Sequence, residues 1–222
     1  MNHADVDWSQ WRRLAPFVDL EVELTGAGTS DPVLDLGCGN GFWLPRIATA
    51  GLRPVGIEPD PARAGVAGRL APVAVGEGAW LPLGDSTVGT VWCLHVLHHL
   101  EDPAAVLTEI ARVLRPGGRL LLAESVEDNP AIRMARTLWP SWEGVPVRAR
   151  FSAAELAAMV GDAGLQIVEY RHHSPLSFVG LVPPRGGRPL WSSLRWLERR
   201  YGRRLDRWGA YVDCVALAPP AA

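Results

Sequence analysis

The sequence predicts an α/β chain built on a doubly wound, mostly parallel sheet of seven strands, with an antiparallel hairpin at the C-terminal end of the order. Three observations predict it. Between residues 33 and 123, short apolar runs alternate with helix-period segments, the pattern of βαβ units. The first apolar run ends in an acid followed by three alternate glycines, Asp35-Leu36-Gly37-Cys38-Gly39-Asn40-Gly41. The last two strand-like runs, near 165–170 and 210–218, have no strand-like run between them, so they are expected to pair with each other at one sheet edge.

Five parallel strands are read at 32–36, 54–57, 72–75, 90–94 and 119–123. The clearest crossover lies between the fourth and fifth. Asp102 and Pro103 supply an N-cap and a first helical residue, and Val106, Leu107, Ile110, Val113 and Leu114 recur on one helix face. Pro116-Gly117-Gly118 is expected to end that helix. After the glycines a helix is expected to start around Gly41 or Phe42, with Pro45 in or next to its first turn. Ser152 and Glu155 have capping-box spacing and open a helix that ends near Gly164. Two stretches outside this framework, 125–150 and 172–209, are rich in Trp, Pro and Arg and are read as helical lid segments around a pocket.

Composition narrows the chemistry. The 222 residues suit one α/β domain spanning 1–222, with 33–123 as its ligand-binding core. All 22 basic residues are Arg, so a Schiff-base lysine and a P-loop lysine are both excluded. A net charge of −2 carries no strong nucleic-acid signal. Cys38, Cys93 and Cys214 are too widely spaced for a zinc knuckle or a disulfide framework, and no metal site is expected. No run of 18 apolar residues marks a transmembrane segment, and the N-terminal stretch has no apolar signal region; a cytoplasmic location is expected.

The glycine turn is the strongest chemical signal. Each glycine is expected to remove a Cβ where backbone lies against a ligand, with unpaired helix N–H groups pointing at it. A dinucleotide fingerprint, GxGxxG, would need glycine at position 42, which is Phe42. The next strand runs into Glu58, placing a carboxylate at a strand end where ribose hydroxyls can bond to it, as the acid of a Rossmann-like fold does.

On these residues the chain resembles the class I S-adenosylmethionine-dependent methyltransferases, especially the small-molecule branch that includes ubiquinone-biosynthesis methyltransferases. The resemblance covers roughly 33–125 with a weaker echo at 151–170, and extends to Val96-Leu97-His98-His99-Leu100 and Leu114-Arg115-Pro116-Gly117-Gly118. It implies S-adenosylmethionine as cofactor, with Asp35, Gly37, Cys38, Gly39 and Gly41 around its methionine end and Glu58 on its ribose. It also implies Glu77 and Gly78 at the adenine, and Cys93 and Leu94 beside the sulfonium. The chain departs from the family at Glu77-Gly78, where an Asp-Ala pair is common, and at Val88-Gly89, in place of Phe-Asp.

The expected reaction is methyl transfer to a small or medium-sized acceptor by in-line displacement, with oxygen, nitrogen and carbon acceptors all open. His99 and His95 are the first candidates for a base, needed where the acceptor is a hydroxyl or a C–H acid and superfluous for a neutral amine. One of His98 and His99 is expected to pack while the other faces the acceptor, and His172-His173 is read as lying just past a strand. Cys93 is read as a small buried residue. Trp139, Trp142, Trp191, Trp196 and Trp208 are expected to seal the core and lid or to stack on the acceptor. Segment 185–207 holds eight arginines against Glu198 and Asp206. It reads either as a solvated helix with an apolar stripe at Leu190, Leu194, Leu197, Tyr201, Leu205 and Trp208, or as a lid attracting an anionic or lipid-like acceptor. Two further readings use the same loop: a non-catalytic cofactor-binding scaffold, and an NAD-dependent reductase.

Overall fold

In a computed structural model the described residues are 31–138, 147–173 and 205–221, together with 193, 196, 197, 200 and 201. Seven strands form one sheet: β1 (Pro32–Leu36), β2 (Arg53–Glu58), β3 (Val73–Val75), β4 (Val88–Leu94), β5 (Leu114–Ser125), β6 (Gln166–His173) and β7 (Tyr211–Leu217). Their order is β3-β2-β1-β4-β5-β7-β6. The first five pair in parallel; β7 runs antiparallel to both β5 and β6, leaving β6 as the edge. The order reverses direction between β1 and β4, and in such sheets ligands bind beyond the carboxyl ends at that point.

Among the described residues five helices flank the sheet: α1 (Leu44–Thr49), α2 (Pro61–Ala67), α3 (Pro103–Val113), α4 (Pro130–Leu138) and α5 (Ala153–Asp162). The strands bury both faces. On one, Val106, Leu107, Ile110 and Val113 of α3 and Leu156 and Val160 of α5 pack on Leu34, Leu36, Val91, Cys93, Leu120 and Leu122. On the other, Ile47 of α1 packs with Val33, Trp92, Leu121 and Val215. Strands covered on both faces must be apolar throughout, which is why β4 and β5 read as near-continuous hydrophobic runs.

The helix starts follow local chemistry. Asp102 accepts from Ala105 N–H at 3.0 Å with Pro103 behind it, and Asp60 accepts from Ala62 N–H at 2.8 Å with Pro61 behind it. Ser152 and Glu155 form both bonds of the capping box.

Several boundaries differ from the sequence reading. β4 starts at Val88, two residues early, because Gly89 fits where a Cβ would lie 2.6 Å from that of Asp31. Leu114 belongs to β5 and not to α3. The Pro116-Gly117-Gly118 turn is a bulge inside that strand, with Gly117 at φ +71°, and the pairing with β4 jumps from Val88–Leu114 to Thr90–Arg119. α1 starts at Leu44 rather than at Gly41 or Phe42, since the three glycines before it hold positive φ. His172 and His173 lie within β6, paired with Val212 and Tyr211 of β7.

Trp139, Trp142 and Trp191, and most of segment 172–209, lie outside the described residues. Trp196 and Trp208 are exposed, as is Tyr201, so they do not seal the core of this chain; the core tryptophan is Trp92. Trp208 sits in a short 3-10 turn, Asp206–Trp208, and not on a continuing helix. Among the described residues no helix is long and apolar enough to cross a membrane, and no group of three metal-ligating side chains converges.

Candidate active site

The glycine turn folds back over the end of β2. Gly37, Gly39 and Gly41 take φ of +71°, +55° and +81°, the left-handed region that side chains with a Cβ avoid. A Cβ at Gly37 would lie 2.7 Å from Val96, and one at Gly41 would lie 3.0 Å from the backbone of Ala67. Only at Gly39 would it meet nothing within 4 Å. Gly37 and Gly41 therefore admit neighbouring protein, while the space at Gly39 is open.

The amides of the turn bond within the protein. Gly37 and Cys38 N–H donate to Ile57 O at 2.8 and 3.1 Å, Gly41 N–H to Cys38 O at 2.8 Å, and Gly39 N–H to Glu58 Oε2 at 2.9 Å. Those four donors are satisfied within the protein.

Two carboxylates wall the loop instead. Asp35, on β1 between Gly56 and Trp92, is 2 % exposed, and its Oδ2 has no hydrogen-bond partner among the described residues. Burial, and secondarily the charge of Glu58, pushes its carboxyl up to about 7. Glu58, at the end of β2, is buried and accepts from Gly39 and Asp60 N–H groups, with Arg63 4.0 Å away. An unpartnered buried carboxyl is costly alone and becomes favourable beside a cation. Such walls repel a diphosphate and suit a ligand carrying sulfonium and ammonium charge. Cys38 is buried beside them, its thiol pushed up to about 12 by burial and by Asp35 and Glu58.

Glu77 is exposed on the loop after β3, and Gly78 approaches Val106 of α3 so closely that a Cβ there would lie 3.1 Å from it. The loop is clamped from α3. Glu109 accepts from Leu81 N–H, and Arg112 donates to Leu81 O, Leu83 O and Asp85. Cys93 is fully buried at the end of β4, its thiol pushed well up by burial and by the charges of Glu124 and Asp35; Leu94 is half-buried.

Beyond β4 the chain enters a histidine loop. His95 has φ +58°, a conformation rare outside glycine, and its ring meets Tyr211 edge to face at 5.6 Å. Leu97–His99 form one 3-10 turn; His99 is half-buried, and its ring centroid is 3.9 Å from that of His98. His98 is the buried member, with Nδ1 2.6 Å from Glu124 Oε2. The carbonyl of His98 accepts from Arg148 and Ala149 N–H, which brings 148–149 onto this loop. The structure thus brings together His95, His98 and His99, with Glu124 and Tyr211, at the carboxyl edge of β4 and β5. His172 and His173 stand on the edge strand, where β6 pairs with β7. Glu124 was missed because the fifth strand is read as stopping at Ala123; the rule that flags Asp35 and Glu58, an acid ending an apolar strand, applies equally to Leu120-Leu121-Leu122-Ala123-Glu124.

Comparisons with known proteins agree with this geometry. The sequence model of a family described as a methyltransferase domain matches residues 10–170. An uncharacterized methyltransferase of Mycobacterium tuberculosis is 34 % identical over 158 residues, 69 % of this chain and 63 % of that protein. A ubiquinone biosynthesis O-methyltransferase of Aeromonas salmonicida is 30 % identical over 180 residues, 72 % of this chain and 74 % of that one. Among solved structures, a Haloferax volcanii methyltransferase in complex with the Trm112 methyltransferase activator superposes with a TM-score of 0.67 at 26 % identity, covering 91 % of this chain and 89 % of that one. The chain belongs to the class I S-adenosylmethionine-dependent methyltransferases, and S-adenosylmethionine is its cofactor.

Proposed function

We propose that this chain methylates a hydroxyl group on a small or medium-sized acceptor. The observation that carries the reading is the pairing of an open Gly39 with the unpartnered, buried carboxyl of Asp35, at the carboxyl edge where the histidine loop also ends. When bound, the cofactor supplies a methyl group activated by a sulfonium. Asp35, Gly37, Cys38, Gly39 and Gly41 surround its amino-acid end, and Glu58 holds its ribose while also fixing the Gly39 amide. Glu77 and Gly78 border its adenine on a loop that Glu109 and Arg112 hold in place. Cys93 and Leu94 line the floor at its sulfur; Cys93, protonated and buried, packs without acting as a nucleophile.

On the acceptor side, His95 and His99 are half-buried imidazoles able to take a hydroxyl proton. A base is superfluous for a neutral amine and required for a hydroxyl, so a histidine loop favours an oxygen acceptor. The O-methyltransferase relative from Aeromonas supports the same choice. Exposed Met134 and Leu138 on α4 suit an apolar or lipid-like acceptor body.

The test is transfer of labelled methyl from S-adenosylmethionine to a panel of small phenols, alcohols and amines, alongside calorimetric titration with S-adenosylhomocysteine. Label in hydroxyl acceptors is expected. Binding without transfer to any extract fraction would favour the scaffold reading, and transfer confined to amines would remove the base.

A further inference from the structure

Beneath the histidine loop lies a pair of ionisable groups that cofactor binding does not use. Glu124, at the end of β5, is fully buried. Its Oε1 accepts the Leu97 N–H at 2.6 Å; its Oε2 lies 2.6 Å from His98 Nδ1 and accepts the Ser125 N–H at 3.3 Å. Burial alone would push this carboxyl up. The imidazoles of His98 and His95 and the Leu97 N–H outweigh that effect and hold it below its ordinary value. Glu124 is therefore a buried anion.

An ionised carboxylate can only accept, so the short contact requires His98 to donate from Nδ1. In the neutral ring the lone pair then resides on Nε2, which ring geometry turns away from Glu124. The other titratable or charged groups around the pair are His95 and His99 on the same loop, Cys93 on β4 and Tyr211 on β7, with the Glu101–Arg148 ion pair at the loop's far end. Cys93 is held protonated and adds no charge.

We propose that Glu124 and His98 form a buried carboxylate–imidazole couple that positions and charges the base for methyl transfer. It rests on the hydroxyl-acceptor reading. An acceptor O–H bond would break with its electron pair kept by oxygen and its proton taken by a ring nitrogen of His99 or His95; the oxygen would form its bond to the methyl carbon as the sulfonium C–S bond breaks, that pair leaving with the neutral thioether sulfur. The positive charge so formed lies near an anion already fixed in place, with the His99 ring centroid 3.9 Å from that of His98. Glu124 is thus a positioning residue. It sets the tautomer of His98 and, through Leu97 and the His98 carbonyl, the path of the loop and of residues 148–149.

The test needs no acceptor. Imidazole nitrogen NMR on the full chain loaded with S-adenosylhomocysteine, followed across pH, reads the tautomer and titration midpoint of each histidine. His98 is expected to carry its proton on Nδ1 in the wild type, with a midpoint at least about one pH unit above that in Glu124→Gln. Glu124→Asp should restore most of the difference, which a purely structural role would not produce. An Nε2–H tautomer in the wild type, or equal midpoints in wild type and Glu124→Gln, overturns the couple. Should Glu124→Gln not fold, the wild-type tautomer decides alone. Wild-type protein that binds no S-adenosylhomocysteine would instead overturn the methyl-transfer reading, a separate outcome.

Discussion

The proposed cofactor end and the proposed acceptor end of this site are assembled in opposite ways. Asp35, the glycine turn and Glu58 come from one β1–α1–β2 stretch, and their contacts run between sequence neighbours and adjacent strands. The acceptor end draws the histidine loop from the end of β4, Glu124 from β5, Arg148 and Ala149 from the segment before α5, and Tyr211 from β7. A site made from one stretch fixes a common ligand with local backbone chemistry. A site gathered from four places can change its acceptor without disturbing that chemistry. If this contrast is real, lesions at one end should leave the other end's measurements untouched.

The largest expected effect is at the acceptor end. Replacing the base, by His99→Ala or His95→Ala, should lower turnover of a hydroxyl acceptor by about 10²–10⁴ with little change in S-adenosylhomocysteine affinity. Losses below tenfold in both variants would return these rings to packing. Next is Gly39→Val, which places a branched side chain in the one open position of the turn and at a φ of +55°. Affinity for S-adenosylhomocysteine should fall on the order of 100-fold while circular dichroism stays that of the wild type. Retained affinity would mean that the turn is not the cradle.

Glu58→Ala sharpens the contrast further, because the same carboxylate fixes the Gly39 amide and is assigned to the ribose. Titration calorimetry should record a loss of about 1–3 kcal/mol. Equal affinity would remove Glu58 from the site.

The smallest and most specific effect concerns pH. With Asp35 raised to about 7 in the fold from an ordinary value of 3.8, the folded chain binds the extra proton in this window. The contribution of Asp35 to stability is therefore most favourable below the ordinary carboxyl value and declines as pH rises towards 7. Cofactor affinity should move the other way, rising over the same window as the carboxylate forms beside a cationic ligand. Asp35→Asn should flatten both curves. A wild-type melting profile and a cofactor titration that match those of Asp35→Asn at every pH would place the carboxyl outside the site.

The same contrast explains what can be read from the chain alone. The parallel order of the first five strands, the antiparallel pairing of the last two, the capped starts of α3 and α5, and the turn from Asp35 to Gly41 are legible because each depends on residues within a few positions of one another. α2 carries a comparable signal in Asp60-Pro61, matching the Asp102-Pro103 start of α3, and is missed only because its apolar face is short. The span of β6 is not local. His172 and His173 read as a turn, and they are strand because β7 supplies backbone partners that sequence neighbours do not announce.

By itself, then, the sequence determined the sheet, the cofactor and the two acids at its strand ends, since backbone periodicity and glycine conformation act over short range. The tertiary structure decided three things. It made Gly39 the one open glycine of the Gly37–Gly39–Gly41 turn, because Val96 and Ala67 come from elsewhere to fill the space at Gly37 and Gly41. It turned the Gly37, Cys38 and Gly39 amides inward to Ile57 and Glu58, beside the buried Asp35. It buried His98 on Glu124, 26 residues away, leaving His95 and His99 nearer the surface. Which of three nearby histidines is held by a charge depends on how two strands lie side by side, and strand adjacency is a property of packing that no local run of residues encodes.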